Sequence, residues 1–429
     1  MNQTSSIWLP RRTAALRQLE SFLPHAGERY ARERNFDFGV SEHHSVSTLS
    51  PWLRHRVLTE AEVVAAVVQA HSLADAEKFV QEVFWRSYWK GWLERRPQVW
   101  QRYMADVATF YRDAPETIAH CQQLTAAGSG IDCFDHWCDE LTGTGYLHNH
   151  ARMWFASIWI FTLELPWQLG ADFFLRHLLD GDPASNTLSW RWVAGLQTAG
   201  KTYLARPDNI EKFTSGRFAP HRQLAETAEA LSEPPIGVRS DLPVLREPNP
   251  ELKTGLLITD EDLSVINLTD ETPGSANGFR TKVTPPAWAS MAALRTTHLL
   301  SPGDVASSVC EFVDGLLDDA VYRSVGDELS RGVNRLHSRT HQALVAALVQ
   351  WAESQQLQQV VTPCVPTGPT ADVITAARPA LHAKGIELVM LRRQWDDEIW
   401  PHCSKGFFAL KKKIPSVLDE LKLLNGPQL

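Results

Sequence analysis

A change of hydrophobic period across a proline-rich stretch constrains this chain more than any other feature. Residues 219–253 carry six prolines (220, 234, 235, 243, 248 and 250), most of them within SEPPIGVRSDLPVLREPNP. Each proline fixes φ and removes a backbone donor, so the stretch reads as an extended linker. Between Arg11 and Phe218 apolar residues recur at three- and four-residue spacing, as in RTAALRQLESFL, AEVVAAVVQAH and AEKFVQEVFWRSYWKGWLERR. That period predicts amphipathic helices. Beyond the prolines come short β-branched runs, GLLIT (255–259), QQVVTPCV (358–365) and IELVML (386–391). Such runs suit buried parallel strands. The helical TADVITAARPALHAKG separates the last two, and strand–helix–strand with short joints predicts a Rossmann-like α/β unit. The chain is therefore expected to be mainly α: an all-helical domain over 1–218, a linker over 219–253 and an α/β domain over 254–429. At full extension the linker could span on the order of 100 Å.

Composition narrows the function. The mean hydropathy is −0.24 and no apolar run approaches the length of a spanning helix. The N-terminal MNQTSSIWLPRRTAAL lacks the apolar segment of a secretory signal, so a cytoplasmic protein without a membrane partner is expected. Six cysteines are scattered without metal-binding spacing and read as reduced thiols, with no metal. A net charge of −8 argues against coating nucleic acid non-specifically, but it leaves room for a local basic patch. No GxGxxG or GxxxxGK[ST] follows the β-branched runs, so no nucleotide motif marks the second half. Twelve of the 16 tryptophans precede residue 200, which places the aromatic chemistry in the helical half.

Two stretches there carry chemistry: ELTGTGYLHNHARMWFASIW (140–159) and LLDGDPASNTLSWRW (178–192). Arg152 lies in an apolar helix and needs a counter-ion, for which Asp180 is the natural choice. Asp182 can accept from an imide N–H, and the Asn186 amide can both donate and accept. Trp190 and Trp192 close the set. These are the needs of an isoalloxazine edge, although taken alone the residues read first as helix caps and core filler.

The two stretches resemble the flavin-binding core of the photolyase/cryptochrome family. YARERN (30–35), SVSTLSPWL (45–53) and FVQEVFWRSYWKGWL (79–93) resemble further segments in the family's order. The resemblance implies FAD, with Tyr30, Ser47, Thr48, Leu49 and Ser50 around its phosphates and sugar. Arg86 and Arg152 would line the site, Asp180 would pair with Arg152, Asp182 would reach the pyrimidine edge, and Asn186 would face N5. It also implies a dimer pocket of Glu82, Trp85, Asn149, Met153 and Trp192, most similar to the cyclobutane pyrimidine dimer branch. Trp190 and Trp167 fall at the inner and middle positions of the family's electron-transfer chain. Its outer position has no matching tryptophan, which leaves Tyr111, Trp100 or Trp137.

The family normally places its α/β domain first. Here the matching segment, VQWAESQQLQQVV to GFFALKKKIP, comes after the flavin half. The expectation is a monomeric light-driven lyase acting on damaged DNA, with Glu82, Asn149, Trp190 and Trp167 as its catalytic residues. A cryptochrome-type photoreceptor and a non-catalytic flavin-binding protein are the alternatives. No residue pattern identifies an antenna chromophore.

Overall fold

The structure, a computed structural model, describes residues 8–40, 42–264, 278, 288–330 and 332–424. Part of the N-terminal stretch read above for targeting, residues 1–7, lies outside the described residues. The first half is built from α1 (Arg12–Phe22), α2 (Glu28–Glu33), α3 (Ser50–Arg54), α4 (Glu60–Ala70), α5 (Glu77–Glu94) and α6 (Pro97–Asp113). It continues with α7 (Pro115–Ala127), α8 (Asp132–Thr144), α9 (Asn149–Ser157), α10 (Trp167–His177), α11 (Pro183–Val193) and α12 (Pro207–Phe213). Local chemistry sets several of the starts. Thr59 accepts from the Glu62 N–H while the Glu62 carboxylate accepts from the Thr59 N–H, a reciprocal cap on α4. Proline stands in the first turn of α6, α7, α11 and α12, where no donor is needed.

Residues 220–249 hold no helix or strand and run extended over the helical half. They are pinned by Leu231 N–H to Ala194 O, Ser240 N–H to Arg95 O, and an Arg191–Glu233 ion pair. Five parallel strands follow, β1 (Thr254–Thr259), β2 (Ser290–Arg295), β3 (Asn334–His337), β4 (Gln359–Pro363) and β5 (Glu387–Leu391), in the order β3-β2-β1-β4-β5. This is a doubly wound arrangement with its switch point between β1 and β4. The sequence reading found β1, β4 and β5 and missed the other two. β2 reads SMAALR, which is as good a helix, and β3 is a four-residue edge strand with a polar sequence, NRLH.

Alternation along the strands sends Leu256, Ile258, Met291, Ala293, Val361 and Val389 into one core, and Leu257, Ala292, Leu294, Val360 and Leu388 into another. The second core is closed by α14 (His341–Ser354) and α15 (Pro369–Ala383). The first is continuous with the core of the helical half and includes α13 (Ser307–Ser330, broken at Gly326). After β5, α16 (Gln394–Ile399), α17 (Phe407–Lys411) and α18 (Ile414–Glu420) return to the helical half. Trp395 packs on Phe84 of α5, and a Cβ on Gly91 would lie 2.7 Å from Trp400 and 2.9 Å from the Cys403 sulfur. Only glycine admits that approach. Among the described residues no helix is long and apolar enough to cross a membrane.

A buried set of charges joins the two halves. Arg54 makes a bidentate pair with Glu261 (2.6 and 2.7 Å), Arg56 with Asp396 (2.7 and 2.6 Å) and Arg393 with Asp262 (2.7 and 2.6 Å). All six side chains are at most 4 % exposed. A buried charge stripped of its partner is far more costly than a lost surface pair. Asp396→Ala is therefore expected to destabilise the protein by about 3–5 kcal/mol in urea unfolding. Glu33→Ala, at the exposed Arg29–Glu33 pair, should cost under about 1 kcal/mol.

The same groups set a pH dependence. Burial lowers His55 to about 4, so it is neutral in the fold, and its ring Nδ1 lies against the Asp260 carbonyl oxygen. Its depressed value means that protonation favours the unfolded chain, and stability drains as pH falls from about 6.5 towards 4. Asp262 and Glu261 are buried, yet their arginine partners hold them below the usual carboxylate range. Their contribution is full above the unfolded value and is lost as pH drops below about 4. Chemical denaturation at a series of pH values should show stability falling in both windows. A midpoint unchanged from pH 7 to 4 would contradict these assignments.

Candidate flavin site

Arg152, on α9, places Nη1 and Nη2 each 3.0 Å from the two Asp180 oxygens, while its Nε donates to Leu147 O at 2.9 Å. The Tyr146 ring lies 5.4 Å from the guanidinium. Burial alone would raise Asp180, but Arg152 and a hydrogen bond from Ser50 hold it below its ordinary range. The counter-ion assigned to Arg152 on charge grounds is the one found. Asp182 caps α11 by accepting from Ser185 N–H at 2.7 Å. Its other oxygen lies 3.5 Å from Lys90 and 3.8 Å from Arg54, and these cations keep it ionised despite full burial. The Asn186 side chain donates to Ala171 O at 2.8 Å, which fixes its amide plane.

Ser47–Ser50 lead into α3, with Thr48 turning the chain through the left-handed region at φ 51°. Gln18 holds the turn by donating to Ser47 O at 3.0 Å and Thr48 Oγ1 at 2.9 Å. Leu49 is fully buried beneath it. Tyr30 is buried edge-on to Phe22 and Phe79, and its phenol is raised mainly by burial. Lys90 and Arg54 were missed in the sequence. The signal for Lys90 was its i, i+4 spacing from Arg86 on the otherwise aromatic α5.

These groups fit FAD. Arg86 Nη1 and Lys90 Nζ are buried without a hydrogen-bond partner among the described residues, and both act electrostatically on Asp182. Lys90 is ion-paired with Asp182, and the buried Arg86 Nη1 is left to take an anionic or carbonyl acceptor of the kind a flavin dinucleotide supplies.

The five residues assigned to a lesion pocket lie in varied surroundings. Glu82 is ion-paired to Arg34. Desolvation raises its carboxyl and Arg34 opposes it, while 36 % of its side-chain surface stays exposed, so the desolvation is partial. Trp85 is half-buried, with Phe407 stacked on it at 3.7 Å and 14°. Trp192 stacks on Tyr203 at 5.6 Å. Asn149 is exposed at the start of α9, and Met153 is half-buried one turn on. The Phe407 contact was not visible in the sequence, because it closes a loop of more than 300 residues.

The assigned electron-transfer tryptophans fall in two ring groups. Trp190 packs edge-on to Trp159 at 6.2 Å and Phe174 at 5.1 Å. Trp167 stacks on Tyr103 at 5.7 Å, which lies 5.5 Å from Trp100. Tyr111 donates to Asp172 at 3.1 Å, and Trp137 stacks on Trp154 at 5.5 Å.

Residues 79–222 match the family model of the FAD binding domain of DNA photolyase. The chain is 36 % identical over 155 residues to a deoxyribodipyrimidine photo-lyase of Streptomyces griseus, covering 36 % of this chain and 33 % of that protein. It is 31 % identical over 196 residues to one of Agrobacterium fabrum, covering 44 % and 40 %. The chain spans between a third and a half of the length of these curated relatives. Among solved structures, a class III photolyase from Agrobacterium tumefaciens is 29 % identical with a TM-score of 0.41, covering 49 % of this chain and 44 % of that one. A matching domain model over residues 79–222 and a buried donor set suited to the cofactor make the helical half of this chain similar to the FAD binding domain of DNA photolyase.

Proposed function

We propose that this protein is a light-driven lyase that splits cyclobutane pyrimidine dimers in DNA. The observation that carries the reading is the juxtaposition on α5 and its neighbours of a charge-paired flavin site and an aromatic, carboxyl-bearing surface. In this reading residues 1–218 hold the flavin, residues 219–253 are the linker, and residues 254–429 are an α/β companion domain. Bound in its reduced form, FAD would supply the light-driven one-electron chemistry that opens the dimer ring with no net redox change. The chain's own residues do the rest. Asp180 holds Arg152 in place, Arg86 and the Ser47–Ser50 turn take the diphosphate, and Asp182 and Asn186 take the ring edge. Trp85 and Trp192 stack the two flipped-out pyrimidines; Phe407 already backs one face of Trp85, so a base would use the other. Asn149 and Glu82 hydrogen-bond the base edges, and the Glu82 carboxyl, raised by burial against the pull of Arg34, faces the charge that develops on the lesion.

For electron supply, Trp190 would act as the inner donor and Trp167 as the middle one. The ring contacts through Tyr103 favour Trp100 as the outer member over Tyr111 and Trp137, and Trp159 is an additional neighbour of Trp190.

Dimer-containing oligonucleotide, incubated with pre-reduced protein in light and in darkness, tests the reading. Dimers should disappear only in light, and Glu82→Ala should lower the yield per absorbed photon while retaining flavin. Absent reversal and no preference for the dimer, with flavin bound and reduced, would instead favour a sensor. Trp190→Phe should slow photoreduction of oxidised flavin by at least about tenfold yet leave repair by pre-reduced protein intact. Photoreduction at the wild-type rate would remove Trp190 from the route.

A further inference from the structure

We infer that the segment Lys405–Lys413 forms, beside Trp85, a surface that takes single-stranded or unstacked nucleic acid. The inference rests on the reading of Trp85 as a lesion-stacking residue and adds a second binding element from the other half of the chain. On a chain of net charge −8, residues 405–413 carry four lysines, and no acidic residue occurs from 399 to 418. Lys411 is engaged with Glu77 at 3.3 Å, whereas Lys405, Lys412 and Lys413 are exposed.

Neither a lysine run nor one exposed aromatic would carry this alone, since both are common on solvated surfaces. Here they meet on a segment fixed against the candidate site. Tyr88 donates its hydroxyl to Lys405 O at 2.9 Å and Arg96 donates to Ser404 O at 3.1 Å, tying the segment to α5 and its C-terminal end. Phe407 is buried on Trp85, while its neighbour Phe408 is 75 % exposed. A strand whose damaged bases reach Trp85 passes a free aromatic ring and three free ammonium groups. Phosphates pair with the lysines and an adjacent base stacks on Phe408, the combination that binds single strands without sequence preference.

The test uses the full-length, flavin-loaded protein and fluorescence anisotropy, with an undamaged oligothymidylate and with the same strand carrying one dimer, over a range of salt. The Lys405→Gln/Lys412→Gln/Lys413→Gln triple variant should flatten the slope of log K against log salt by about 2 on the undamaged strand, at roughly 0.7 per lost phosphate contact. Phe408→Ala should weaken binding about tenfold without changing the slope. Both variants should keep wild-type flavin content. Wild-type slope and affinity in both variants would overturn the proposal, as would a wild-type protein that binds neither strand. If the wild type shows no preference for the dimer but the triple variant still flattens the slope, the lesion reading fails and the surface stands. If the preference is present and the variants match wild type, the surface fails and the lesion reading stands.

Discussion

The buried pairing of Arg54 and Arg56 with acids from the α/β half is the interaction on which the rest of the structure depends. Both arginines lie on or just after α3, immediately past the Ser47–Ser50 turn that the flavin reading needs. Arg54 reaches Glu261 at the end of β1, Gly181 O at 2.9 Å and the Asp182 carboxylate at 3.8 Å. Arg56 reaches Asp396 after β5, Glu60 at 3.2 Å and Asp262 at 3.5 Å. One electrostatic unit thus joins the turn, the acidic stretch of the candidate site and the sheet. In a medium of low polarity each cation is tolerable only because its acids are placed beside it. The candidate flavin site and the contact between halves are therefore not separable features.

The same contact explains what the sheet does. In doubly wound folds, ligands enter the crevice beyond the strand ends at the switch point. Here the chain itself fills that crevice. Asp260 accepts from Thr296 N–H at 2.9 Å and from the Thr297 hydroxyl at 3.0 Å, and Thr370 joins through Thr296 at 2.6 Å. Arg54 and His55 enter from the helical half, with Leu178, Leu179 and Gly181. The α/β half, as placed here, contributes acids that anchor α3 and an aromatic C-terminal segment that backs α5. Both contributions are compatible with its position after the helical half, because the extended residues 220–249 lie pinned across the helices rather than looping free.

How much of this was legible depended on whether the physics was local. Helical period, the proline stretch and three β-branched strands are local, and they placed the helical and α/β halves. The Arg152–Asp180 pair was legible because a cation in an apolar helix demands an acid, and only a few stood near. β2 and β3 were not, because alanine-rich and polar edge strands take their conformation from neighbours. The seam network was half-visible: LRHR (53–56), TDED (259–262) and RRQWDDE (392–398) are conspicuous charge clusters beside apolar elements. Nothing local says which cluster meets which. The stacking of Phe407 on Trp85, and the Trp167–Tyr103–Trp100 series, depend on tertiary closure and carry no sequence period.

The central claim is that charges from both halves build a site for a complete flavin dinucleotide. Titration of flavin-stripped full-length chain with FAD and, in parallel, with riboflavin measures it most directly, by calorimetry or flavin fluorescence. The account predicts one FAD per chain, with riboflavin binding weaker by at least about a hundredfold, since it offers nothing to Arg86 and the Ser47–Ser50 turn. A chain that takes up no FAD, or that binds riboflavin as tightly as FAD, would contradict it.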